Sequence, residues 1–367
     1  MLGTSREFAR PYEQSEKQAR MSRRKKCIIA LSGILLAGAA LALVLWRRAD
    51  SGPALLRILP PQADLYALVD FADLQRNPAV RRFLSDPPEF SVADDYRGFV
   101  EASGFRYQDD LRQLALARVG SSYVGAARIA VDRSRMLQYL ETETSEGTEG
   151  TEGTERTERT EETETTVETE TTEKTEVLGN TVFTFGRLRP FRLALPEPNL
   201  AVFTIGEDNA LIEKALARLA QVPQSDSAAS ELAAAGELPR LSQGNALALI
   251  MRTERIFNQG SVEPGSGPFR FGGPLLRGSK ALYITVESGL TQLDFEVENL
   301  CEDEPAAQRF ARMIQSLLVL LRAAPVEGSD PLQGKLAVLL QDVAVQQVSD
   351  SVLMHWKWDA ETFRRLE

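Results

Sequence analysis

The sequence predicts a membrane-anchored α+β protein: one transmembrane helix, then antiparallel hairpins with helices on one side of the sheet, arranged as two pseudo-repeats. Three observations predict it. Cys27–Trp46 (CIIALSGILLAGAALALVLW) is a run of twenty residues without a charge, bracketed by Arg23, Arg24, Lys25 and Lys26 before it and Arg47 and Arg48 after it. Beyond it, segments with strand and helix periodicity alternate in an order that occurs twice. Short turn signals join the strands into hairpins, the mark of antiparallel pairing.

A helix over 27–46 would be about 30 Å long, the thickness of a bilayer's hydrocarbon core. Six cations lie between Lys17 and Lys26 and three (Arg47, Arg48, Arg57) just beyond the span. Cytoplasmic flanks carry the excess of Lys and Arg, so the N-terminus is expected in the cytoplasm. The protein is then a single-pass signal-anchor protein of the inner or cytoplasmic membrane with an extracytoplasmic, periplasmic-type domain. A cleaved leader would have a shorter apolar stretch ending in small residues, whereas Leu43–Arg48 reads LVLWRR. Residues 1–26 are expected as a disordered tail and 47–60 as a linker.

The net charge of −10 comes almost wholly from one acidic, low-complexity tract. Glu141–Glu176 holds fourteen Glu against Arg156, Arg159 and Lys174, a net of −11 that leaves +1 for the rest. Val167 is its one apolar residue larger than Ala, so the tract cannot bury enough surface to offset the entropy of ordering it. It is expected to be disordered. The near-neutral remainder argues against nucleic-acid binding, which needs a clustered basic face. Cys27 and Cys301 are the two cysteines, too few for a disulfide framework.

The first pass (61–140 and 177–222) opens with a buried strand at Leu65–Val69 and a helix at Asp73–Leu84, with another near Val92–Ala102. Leu114–Val119 and Tyr123–Val131 form a hairpin around Gly120, Ser121 and Ser122, followed by a short helix at Arg133–Leu140. After the insert, Thr181–Phe185 and Ala201–Ile205 read as a second hairpin. Asn209–Leu219 closes the pass as a helix with Leu211, Ile212, Ala215, Leu216 and Leu219 on one face. A linker is expected at 223–240.

The second pass (241–367) opens with a strand at Ala246–Ile250. Its hairpin ALYITVESGLTQLDFEVEN alternates Leu293, Phe295 and Val297 with Gln292, Asp294, Glu296 and Glu298, a strand with one wet face. A long helix begins at Pro305, Val343–Val348 and Val352–Trp358 make the last hairpin, and Ala360–Leu366 a final helix. The anchor followed by LPPQADLYALVDFADL resembles uncharacterised bacterial single-span envelope proteins whose outer α+β domain opens with a Leu-Pro-x-Asp, strand, Val-Asp pattern. That resemblance implies an extracytoplasmic domain and carries no functional residues with it.

Residue patterns that carry chemistry are sparse. His355 is the sole histidine, in SVLMHWKWD, and no GxSxG or HExxH accompanies it; it reads as a partly exposed strand residue. Asp94 with Asp95, Asp109 with Asp110, and the trio Glu302, Asp303 and Glu304 could serve a hydrolase or a cation, but each sits where acids cap helices. GPLLRGSK at 273–280 misses the phosphate-loop spacing. One irregular loop, Asn258–Gly278, replaces the first pass's helices and carries Phe269, Arg270 and Phe271, residue types that dominate binding hot spots. These three are the expected binding residues; no catalytic residue, metal or cofactor is expected. The sequence therefore predicts a non-enzymatic binding or interaction protein whose partner is another protein or an envelope polymer. An envelope hydrolase using paired carboxylates and a structural spacer are the alternatives.

Overall fold

The computed structural model describes residues 51–85, 99–146, 172–186, 190–220, 226–242, 244–258, 276–323 and 338–365. A short helix, α1 (Ser51–Leu56), leads to β1 (Leu65–Asp70) and two short helices, α2 (Phe71–Leu74) and α3 (Pro78–Ser85). The single helix expected at 73–84 is broken because Pro78 cannot continue it. Asn77 starts a new one, its Oδ1 accepting from the Ala79 amide at 3.0 Å. Then come α4 (Tyr107–Asp110), the hairpin β2 (Leu111–Val119) and β3 (Ser122–Ile129), and α5 (Arg133–Glu146). The hairpin turns on two residues, the first being Gly120 at φ 58°, a conformation that suits the twist of paired strands.

Four strands follow in a meander: β4 (Thr172–Val177), β5 (Asn180–Phe185), β6 (Phe191–Glu197) and β7 (Leu200–Ile205). Three helices come next, α6 (Ala210–Ala220), α7 (Ala228–Ala234) and α8 (Leu238–Ser242). The rest is β8 (Leu247–Met251), α9 (Thr253–Asn258), β9 (Ser279–Ser288), β10 (Gln292–Cys301), α10 (Glu304–Ala323), β11 (Ala344–Val348), β12 (Ser351–Asp359) and α11 (Ala360–Arg364).

All twelve strands join one sheet in the order β11-β12-β10-β9-β8-β1-β2-β3-β7-β6-β5-β4, and every pairing is antiparallel. This corrects the expected fold class. The strands that open the two passes, β1 and β8, pair with each other, with Leu68 opposite Ala248, so both passes share a single large sheet. Outward from that seam one flank runs β1-β2-β3-β7-β6 and the other β8-β9-β10-β12-β11, with the β4–β5 hairpin added at the far end of the first. Nor do the helices keep to one side. α5 packs on one face through Met136 and Leu140, against Ala127 and Phe183, and α10 covers the second flank from that same face through Phe310 and Ala311. The opposite face is covered over β1, β2, β3 and β7 by α1, α6 and α7, whose Leu55, Leu56, Leu211, Leu216 and Leu232 meet Tyr66, Val124 and Val202.

The membrane anchoring is corrected as well. No helix among the described residues is long and apolar enough to cross a membrane. The segment 27–46, on which the single-pass, inner-membrane localisation rested, lies outside the described residues. So do the expected helix residues 92–98. The Glu/Thr tract is structured at both ends: α5 continues into it, and β4 is drawn from it by pairing with β5, Thr175 opposite Val182. Its residues 147–171 lie outside the described set. α7 and the start of α8 occupy the stretch expected as a linker, held by Ala228 and Leu232 of α7 and Leu241 of α8, all buried. The second hairpin's partners also differ: β5 pairs with β4 and β6, and β7 with β3 and β6. Where β7 pairs with β3, Phe203 stands opposite Gly125 and its ring occupies the space of the missing side chain: a Cβ there would come within 2.1 Å of the ring.

Candidate functional site

Alternation along the strands decides what each face of the second flank presents. Tyr283, Thr285 and Glu287 of β9 stand opposite Glu298, Glu296 and Asp294 of β10, and Glu296 and Asp294 stand opposite His355 and Lys357 of β12. These residues share one face, the one that α1, α6 and α7 cover on the first flank. Here no described helix lies over it beyond the edge of α8. The other face of the same strands is aromatic: Phe295 stacks on Trp356 at 5.0 Å and meets Trp358 at 4.1 Å.

Along the border between covered and open face runs a groove of about 310 Å³, lined by Arg240, Asn245, Tyr283, Glu287, Glu296 and Glu298 among others. Arg240 reaches it from α8, and its guanidinium lies 4.3 Å from the centre of the Tyr283 ring while pairing with the Glu298 carboxylate. Ser351 Oγ donates to Glu298 as well, at 3.3 Å. Glu287 and Glu296, both exposed, have no ion-pair or hydrogen-bond partner among the described residues. Asp294 is held by Lys357 at 3.0 Å. Burial works to raise its carboxyl, and the hydrogen bonds from Lys357 and Gln292 outweigh it, leaving the group below the ordinary Asp value.

Behind the groove lies a buried polar network that crosses the β1/β8 seam. Tyr283 Oη donates to Glu237 Oε1 at 2.8 Å, and the other Glu237 oxygen is 2.7 Å from Arg252 Nη2. Arg252 also faces Glu231 at 3.6 Å, Arg255 faces it at 3.5 Å, and Tyr66 Oη donates to Glu231 Oε2 at 2.6 Å. Each tyrosine is held protonated, first by burial and then by the carboxylate it bonds; Tyr283 is pushed up to about 12 and Tyr66 further. Burial alone would raise the Glu231 carboxyl, but Tyr66, the Gln62 amide, Arg252 and Arg255 together hold it below the ordinary Glu value.

The structure places few of the sequence-nominated residues in this site. Phe269, Arg270 and Phe271 lie outside the described residues, as do Asp94 and Asp95. Asp303 caps α10, accepting from the Ala306 amide at 2.7 Å, and Asp110 folds back from the end of α4 to accept from the Arg106 amide at 2.7 Å. Cys301 is buried and free. His355 stands half-exposed on the wet face of β12, 4.0 Å from Asp294. Among the described residues no group of three or more His, Cys, Asp or Glu is placed to hold a metal ion. Tyr66, Glu231, Glu237, Arg240, Arg252 and Tyr283 were not singled out by the sequence reading. A signal for the tyrosines exists: LYALVD in β1 and LYITVE in β9 share the pattern Leu-Tyr-x-x-Val-acid. A tyrosine inside an apolar strand requires a partner for its hydroxyl.

No protein-family model matches the chain, and no curated protein matches it by sequence. It bears a distant structural resemblance to TP0453. Against crystal form III of that protein the TM-score is 0.45 at 11% identity, covering 85% of this chain and 96% of that one. Forms I and IV give 0.38 and 0.40, each at 11% identity and 85% of this chain, with 95% and 96% of theirs. A likeness at this level carries no inference about what the chain does.

Proposed function

We propose that this protein is a binding module whose recognition surface is the uncovered acidic face of β9, β10 and β12, and that its partner is a protein presenting a basic, Arg- or Lys-bearing segment. The observation that carries the proposal is the pair Glu287 and Glu296, exposed in the groove and unpartnered beside an assembly that already holds a guanidinium. The carboxylates of Glu287 and Glu296 offer an incoming arginine the kind of pairing that Glu298 gives Arg240. Carboxylates at the rim steer a cationic partner and set salt dependence.

The hydrolase alternative gains no support from the acidic pairs that suggested it, since Asp110 and Asp303 are each taken up by a backbone amide at a helix start. Calorimetric titration of the full chain with an Arg-rich octapeptide tests the binding reading. The expected result is saturable binding that weakens as salt rises and falls by roughly tenfold or more in the double variant Glu287→Gln/Glu296→Gln. Affinity unchanged in that variant, or no binding at low salt, would sink it.

A further inference from the structure

The sheet ends in two edges of opposite character. β4, TEKTEV, carries Glu173, Lys174 and Glu176 in six residues, with Lys174 paired to Glu141 at 2.8 Å. Charges of this kind keep an edge from pairing with another chain. β11, AVQQV, has no charge, no proline and no bulge against β12, and no described strand pairs with its outer side. Its Val348 is 48% exposed. Beside it, Arg322 Nη2 donates to Val343 O at 3.1 Å, which brings the last turn of α10 to the start of the edge strand. That end of the helix is apolar and uncovered: Val319 is 62% and Leu320 67% exposed. At about 100° per residue, Leu317 and Leu320 stand on one flank of the helix and Val319 on the other.

We infer that β11 is a self-association edge, and that its occupant is β11 of a second copy of this chain, related by a two-fold axis perpendicular to the sheet. Complementarity argues for a copy. An antiparallel pairing of this strand with itself about Val345 sets Ala344 opposite the mate's Gln346, Val345 opposite Val345 and Val343 opposite Gln347, with no like charges opposed, whereas a two-fold through Lys174 of β4 would set lysine against lysine. The flanking acids choose the register. Centring on Gln346 would oppose Asp342 to the mate's Asp350; centring on Val345 does not. A perpendicular two-fold keeps each face on its own side, so the two α10 helices lie on the same face of the joined sheet. A five-residue strand pair falls well short of the roughly 1,200–2,000 Å² of a stable interface, so the apolar helix ends must close on each other too.

Sedimentation equilibrium of the full chain over about 1–100 μM tests this, because association makes the mass concentration-dependent. The wild type should be a dimer at the upper end. Gln346→Lys on the strand and Leu320→Glu on the helix both replace exposed side chains, and each should weaken dimerisation by roughly tenfold or more with an unchanged melting curve. A wild type that stays monomeric overturns the proposal, as does association indifferent to both variants, which would place the contact elsewhere. A monomer whose β11 amides gain exchange protection only when an extended peptide is added would give the edge to a foreign strand, and also overturns it.

Discussion

One face of the sheet is built in two ways. Over β1, β2, β3 and β7 it is lined by Tyr66, Ala115, Ala117, Val124, Ala126 and Val202 and closed by leucines from three helices. Over β9, β10 and β12 the corresponding strand positions carry Glu287, Asp294, Glu296, Glu298, His355 and Lys357 and are left open. Backbone pairing is the same in both regions, so strand formation does not decide which half is covered. The alternating residue does: small apolar side chains admit a helix to close approach, while carboxylates could be covered only at the large cost of desolvating each charge. The network of Tyr66, Glu231, Arg252, Glu237 and Tyr283 lies at the border between the two regimes, and the groove runs along it.

The largest effect is expected at Arg252, which faces Glu231 and Glu237 at once. Arg252→Met should cost about 3–5 kcal/mol, because two largely buried carboxylates lose their shared cation; urea unfolding measures it. Leu216→Ala, in the covered half, should cost about 2–5 kcal/mol by leaving a cavity under α6. A loss below 1 kcal/mol there would show that the helix is not holding the face.

Tyr66→Phe should cost about 1–3 kcal/mol, since Glu231 and the Ala63 amide each lose a partner in a buried place. The pH profile sharpens the same point from both ends. Glu231 titrates below its ordinary value in the fold, so its stabilisation is present above the usual carboxylate range and is lost as pH falls through the lowered value. Tyr283 is raised to about 12, so its contribution is complete below its unfolded value near 10 and is lost as pH rises through the folded one. Stability measured across pH should decline at both extremes, and Tyr283→Phe should remove part of the alkaline decline. The smallest effect belongs to the open half: Glu296→Gln should leave stability within about 0.5 kcal/mol while weakening capture of the Arg-rich peptide. Destabilisation there would mean that the face is covered after all.

Much of the local structure was legible. The β2–β3 hairpin, the apolar stripe of α6 and the wet face of β10 follow from periodicity alone, and His355 lies where alternation puts it. The misses have physical reasons. β4 is hidden in the Glu/Thr tract because its alternation is polar on both faces; β5 recruits it. β6 contains Pro196, which argues against a strand until a bulge between Ala194 and Glu197 accommodates it. α7 is so rich in alanine that its buried side lacks contrast in the sequence. Above all, the pairing of β1 with β8 is non-local, so two readable units gave no sign that they form one sheet. The binding residues were sought in a Gly- and Pro-rich loop, while the groove that the structure offers is built from strand residues whose charges looked like ordinary solvent-facing alternation.

That seam has a consequence in time. Leu68 and Ala248 are about 180 residues apart, and closing so long a loop costs conformational entropy before any contact rewards it. Most other neighbours in the sheet are hairpin partners or return after a single short excursion. Each flank can therefore gather its strands early, and the β1/β8 junction should form late, setting the folding rate through its high contact order. Ribosomal synthesis reinforces the sequence of events, since β1 emerges long before its partner and must wait with one edge unpaired. The Tyr66–Glu231–Arg252 cluster astride the junction would then act as the latch that reports completion: until the second flank arrives, Arg252 is absent and Glu231 has no cation to meet.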